Sequence, residues 1–90
     1  MTWLARIHVL LKPVVNDPQG QAIRGGLHTL GFESVSQVRA GKYFEISLEA
    51  ADADAARQAA DEMCRKLLAN PVIEDYRFEV EAQTAILDAV

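Results

Sequence analysis

From Trp3 to Leu11 every odd position is apolar (Trp3, Ala5, Ile7, Val9, Leu11), whereas Arg6 and His8 fall among the even ones. A period of two puts alternate side chains on opposite faces of an extended chain, so this stretch predicts a first strand with one face buried. A loop with Pro13 follows, and Asp17-Pro18 then supplies an N-cap carboxylate and a proline at the first helical position, where no N–H is needed. Ile23, Leu27 and Leu30 recur at helical spacing, and Gly31 offers the positive φ of a helix end before Phe32. The pair Gly25-Gly26 inside this helix costs ~1 kcal/mol per residue against alanine, which predicts close backbone packing there.

Glu33 to Arg39 and Lys42 to Glu49 predict the two strands of a hairpin turning at Ala40-Gly41. Phe44, Ile46 and Leu48 alternate with Tyr43, Glu45, Ser47 and Glu49. Val35 and Val38 are out of step, so a bulge is expected in the earlier strand. Asp52 or Asp54 can cap a second helix with an apolar stripe of Ala56, Ala59, Ala60, Met63 and Leu67, stopping at Asn70-Pro71. Val72 to Glu81 predicts a last strand that buries Tyr76, Phe78 and Val80. The expected class is α+β: a ferredoxin-like β-α-β-β-α-β sandwich, with a four-stranded antiparallel sheet and two helices on one face. Residues 1–81 form this single domain, and 82–90 are a tail whose Ile86, Leu87 and Val90 show no clear period.

Ninety residues support one core only. Half the residues are hydrophobic, too many for intrinsic disorder, and the net charge of −4 contains no basic block that would release counterions from a nucleic acid. Nucleic acid is therefore excluded as the expected partner. The single cysteine, Cys64, rules out an internal disulfide framework and fits a reducing, cytoplasmic setting. No stretch approaches the ~20 apolar residues that cross a bilayer, so no membrane is expected.

A phosphate-cradling loop after the first strand would need glycine and arginine, but that loop reads Lys12-Pro13-Val14-Val15-Asn16-Asp17. Cys64 lies within the second helix beside Met63, an apolar setting that leaves a thiol inert. His8 and His28 lack cysteine or carboxylate at metal-ligand spacing, and no Cys-x-x-Cys pair exists. RNA recognition would need aromatic platforms on the open sheet face, where Tyr43 stands beside Glu45 and Glu49. The same face mixes Leu4, Leu10, Tyr43 and Ile73 with Arg6 and Glu45. That mixture suits an interaction surface, and a homodimer or higher oligomer is expected to bury it.

Three segments carry a resemblance: Lys12 with Asp17-Pro18-Gln19-Gly20; Val38-Arg39-Ala40-Gly41-Lys42-Tyr43; and Glu62-Met63-Cys64 through Lys66-Leu67-Leu68-Ala69-Asn70 into Val72-Ile73-Glu74-Asp75-Tyr76-Arg77. In residue choice, order and spacing they resemble PurS proteins, the small non-catalytic subunits of phosphoribosylformylglycinamidine synthase. Caps, turns and helix stops explain part of each segment, but not Gln19 after Pro18 or the order Glu74-Asp75-Tyr76-Arg77. The resemblance implies a bridge between a glutaminase subunit (PurQ) and an ATP-dependent synthetase subunit (PurL), aiding ammonia transfer onto formylglycinamide ribonucleotide. It implies no catalytic residue, metal or cofactor in this chain, with ATP and Mg expected in the synthetase subunit. Partner contacts are expected at Asp17, Gln19, Arg39, Lys42, Tyr43, Glu74, Asp75 and Arg77. The alternative is an ACT-like regulatory module binding a small molecule. Its ligand sites rely on a glycine at the first strand–helix junction, where this chain has Asn16-Asp17-Pro18-Gln19.

Overall fold

The computed structural model describes residues 1–83. The first strand, β1 (Thr2–Leu11), lies at the centre of a three-stranded antiparallel sheet, between β2 (Gly41–Glu49) and β3 (Glu74–Ala82). Ile7 pairs in register with Phe44 on one side and Phe78 on the other. The odd positions of β1 therefore share one inner face with the even positions of β2 and β3. Ala5, Ile7 and Val9 on that face are fully buried, as their alternation predicts.

The second helix, α2 (Ala53–Met63), starts at Asp52, whose carboxylate accepts the Ala55 N–H at 2.8 Å. Ala56, Ala60 and Cys64 face the sheet at intervals of four and are fully buried. A π-helical turn, Cys64–Leu68, ends the helix, with the Ala69 N–H donating to the Cys64 carbonyl five residues back. Leu68 and Ala69 then turn inward, and Leu67 is 83% exposed. The expected apolar stripe is corrected at that one position. The segment before β3 is a turn, so Val72 is exposed and the strand starts at Glu74.

Three further expectations are overturned. Glu33 to Arg39 forms no strand, so neither the hairpin nor the four-stranded sheet exists among the described residues. The backbone and side-chain bonds of this segment run elsewhere: the Phe32 N–H donates to the Leu27 carbonyl, the Val35 N–H to the Phe32 carbonyl, and His28 Nε2 bonds the Val35 carbonyl at 2.7 Å. Nor do both helices cover the sheet. The first helix, α1 (Pro18–Thr29), packs against neither the sheet nor α2. Together with residues 30–40 it forms an arm that leaves the body. The Cα radius of gyration is accordingly 16.8 Å, against about 12 Å for a compact domain of this length. Gly25 and Gly26 have open space where a Cβ would stand, so close packing against the described residues is not their explanation. Gly31, with φ of 99°, does end α1 as expected.

Candidate partner interface

The arm is fixed at its base by one carboxylate. Asp17 Oδ1 accepts the Gly20 N–H at 2.9 Å, capping α1, while Oδ2 accepts the Ala40 N–H at 3.0 Å just before β2 begins. Arg39 donates to the Leu11 carbonyl at the end of β1. Gly20 is buried in this clasp: a Cβ there would stand 2.3 Å from the Val38 carbonyl oxygen and 2.6 Å from Asp17 Oδ2. Gly41 is required in the same way, since its Cβ would meet the Val9 carbonyl oxygen at 2.3 Å. An open cleft of about 440 Å³ lies between this base and the loop after β1, lined among others by Lys12, Asn16, Arg24, Gln37 and Arg39.

The third segment meets the other two at the same end of the sheet. Leu10 pairs with Gly41 and Leu11 with Glu74, so the end of β1 and the starts of β2 and β3 lie side by side. Lys12 donates its backbone N–H to the Ile73 carbonyl at 2.8 Å and its Nζ to Asp75 at 2.9 Å. Tyr43 and Arg77 flank His8 in register, and the Tyr43 ring lies 4.9 Å from the imidazole, centroid to centroid. Lys42 Nζ reaches to 4.0 Å from Glu74. Gln19 is exposed on the first turn of α1. All eight candidate residues thus gather around one end of the sheet. Glu74 is nonetheless a poor free surface: its side chain is 14% exposed and accepts the Asn70 N–H at 2.7 Å. Asn70, which the sequence marks as the helix stop before Pro71, does more than end the helix. Its side chain accepts the Val72 N–H, and its carbonyl accepts from Ile73 and Glu74, so it builds the turn into β3. An asparagine before a proline signals a helix stop, but not these particular bonds.

The Gly20 N–H, then the Ala40 N–H, holds the Asp17 carboxyl below its ordinary range, with Arg39 adding to both. Asp61 is lowered first by the Tyr76 hydroxyl and then by Arg65, and Glu81 by its bond from Arg6. A carboxyl with a depressed folded-state pKa stabilises the fold fully above its ordinary range and loses that contribution as pH falls through the folded value. Melting temperature is therefore expected to hold from neutral pH to the ordinary carboxylate range and to fall below it. Asp17→Asn should flatten that acid limb. Thermal scans across this range check it, and equal acid sensitivity of variant and wild type would count against the clasp.

Cys64 is fully buried, and its thiol pKa is pushed up by that burial and then by the Asp61 charge. Burial and a neighbouring anion both disfavour the thiolate a nucleophile needs. Among the described residues no three His, Cys, Asp or Glu side chains gather to hold a metal, and no helix is long and apolar enough to cross a membrane.

A small sheet with an occluded thiol, and one end crowded with paired charges, a tyrosine and a clasped arm, defines an interaction module. The model of the PurS family, phosphoribosylformylglycinamidine (FGAM) synthase, matches residues 4–82, and the chain belongs to that family. The PurS subunit of FGAM synthase from Synechocystis sp. is 56% identical over 77 residues, 86% of this chain and 77% of that one. The Bacillus subtilis PurS subunit is 49% identical over 80 residues, 89% of this chain and 94% of its relative. Among solved structures, Thermus thermophilus PurS superposes with a TM-score of 0.84 at 38% identity, covering 93% of this chain and all of that one. A chain in the Thermotoga maritima PurLQS structure has a TM-score of 0.83 at 28% identity, covering 90% and 99% respectively. The chain is thus an FGAM synthase subunit of purine biosynthesis, and the ACT-like alternative lapses.

Proposed function

We propose that this chain acts in the cytoplasm as a dimeric bridge. It joins the glutaminase and synthetase subunits of FGAM synthase and aligns them for ammonia transfer, taking no part in bond making. The observation that carries this reading is the convergence of all three family-like segments on one end of the sheet, around the Asp17 clasp. That the Thermotoga maritima relative occurs in a PurLQS structure supports the choice of partners. ATP and Mg belong to the synthetase subunit. The contact surface comprises Asp17, Gln19, Arg39, Lys42, Tyr43, Asp75 and Arg77, with Glu74 holding the turn behind it.

Reconstitution tests the role. The isolated chain should neither hydrolyse glutamine nor consume ATP, yet adding it to the other two subunits should restore glutamine-dependent FGAM synthesis. Ammonia-dependent synthesis should need it far less, because alignment serves the transfer between sites and not either half-reaction. Equal dependence of both would sink the bridging role. Cys64→Ala should leave glutamine-dependent synthesis within a few-fold of wild type, whereas a loss of orders of magnitude in a folded, assembled complex would mark a catalytic thiol. Asp75→Lys removes the partner of Lys12 on an exposed strand face, so it should weaken co-purification with the other subunits more than it lowers melting temperature.

A further inference from the structure

The positive charges of the described residues divide into two groups. Arg6, Lys12, Lys42, Arg57, Arg65 and Lys66 each stand within 4.0 Å of a carboxylate of the same chain. The other three of the nine lysines and arginines, Arg24, Arg39 and Arg77, have no such partner among the described residues, although the chain carries a net charge of −4. All three are exposed, and they line two clefts that share Arg39. The cleft of about 440 Å³ beside the loop after β1 holds Arg24 and Arg39, with the 91% exposed Val14 on its wall. A smaller cleft of about 130 Å³ holds Arg39 and Arg77, with His8, Leu10 and Tyr76. The loop after β1 has no arginine of its own, but the fold brings it two, one from α1 and one from the segment before β2.

The carboxylates that border these clefts leave the three arginines free. Asp17 spends both oxygens on the Gly20 and Ala40 N–H groups, and Asp75 holds Lys12 Nζ at 2.9 Å. Arg39 gives an N–H to the Leu11 carbonyl and keeps others for a ligand. We propose that the two clefts receive an acidic segment of one partner subunit, with its carboxylates on Arg24 and Arg77 to either side of Arg39 and an apolar side chain against Val14. A guanidinium binds a carboxylate through paired N–H···O bonds, which fix orientation as well as charge, and orientation is what a subunit that aligns two others has to supply. A single small anion would fill one cleft and leave the arginine of the other unpaired. A second copy of this chain is a poor donor, because most of its carboxylates are already bonded within it. This deepens the bridging reading above by naming the chemistry of the partner, and rests on it.

Calorimetric titration of the full-length chain into a mixture of the glutaminase and synthetase subunits, at ~0.05 M and ~0.5 M NaCl, tests this. Arg24→Glu and Arg77→Glu are each expected to raise Kd by about tenfold or more at the lower salt and to flatten its salt dependence. Neither arginine makes a hydrogen bond or ion pair among the described residues, so both variants should keep the wild-type melting temperature; if a reversal unfolds the chain, Arg24→Gln and Arg77→Gln should show a smaller loss of the same kind. Arg57→Glu, which makes the same change of net charge on α2, should stay within about threefold of wild type. If Arg24→Glu and Arg77→Glu bind as Arg57→Glu does, the acidic segment is overturned and the bridging reading survives on other contacts. Saturable binding of inorganic phosphate to the isolated chain would overturn it in favour of a small anion. A fall in the light-scattering mass of the isolated double variant would overturn it in favour of a second copy. Wild-type chain that does not bind the mixture at all would remove the bridging reading as well.

Discussion

Ile7→Ala is expected to remove a large share of the stability of this chain. Ile7 is wholly buried on the central strand, with Phe44 and Phe78 in register on either side and Ala60 and Cys64 in the same core cluster. Truncating a buried isoleucine costs ~2–5 kcal/mol, since the cavity adds to the lost transfer energy. A domain of this length has only ~5–13 kcal/mol in total. The other fully buried apolar residues are mostly alanines, so few neighbours can shift to fill the hole. Urea unfolding of both proteins checks this, and a midpoint within error of wild type would mean the core lies elsewhere.

Gly20→Val should be the most damaging change outside the core, and it should act on assembly. Its Cβ would press on a backbone carbonyl, which cannot rotate away as a side-chain tip can. Overpacking of this kind costs ~1–3 kcal/mol, and here relief requires opening the clasp between α1 and Ala40. The expected result is a folded sheet with a displaced arm, and hence loss of co-purification with the other subunits. Gly25→Ala is the control on the same helix: its Cβ meets nothing among the described residues, and helix propensity improves by ~1 kcal/mol. If Gly20→Val assembles as well as Gly25→Ala, the clasp does not set the arm's position.

How much was legible follows from what each signal reports. The alternation at Trp3–Leu11 and Phe44–Leu48 reads which face is buried, and it located β1 and β2 to within a residue or so. Asp17-Pro18 and Asp52 read local backbone bonds, and both caps formed. The apolar period of Ile23, Leu27 and Leu30 reported that α1 wants a partner, but a period carries no information on which sheet provides it. Val35 and Val38, out of step, suggest a bulge in a paired strand, whereas 33–39 forms no strand at all. The π turn is invisible in the sequence because one extra residue in a hydrogen-bonded ring leaves no mark on composition. At the candidate interface, the residue choice, order and spacing of the three segments carry the family resemblance, while their meeting at one end of the sheet depends on strand register, which no local pattern encodes.

The central position of β1 also fixes a timetable. The first strand to be synthesised has as its neighbours a strand from the middle of the chain and one near its end. Neither face-sharing pair, Ile7 with Phe44 or Ile7 with Phe78, is close in sequence, so loop-closure entropy must be overcome before either contact rewards it. During translation β1 emerges with its alternating apolar positions exposed, can pair first with β2, and gains its second neighbour only when β3 has left the ribosome. Until then one long edge of β1 carries unpaired backbone N–H and C=O groups, the kind of edge on which another chain can pair.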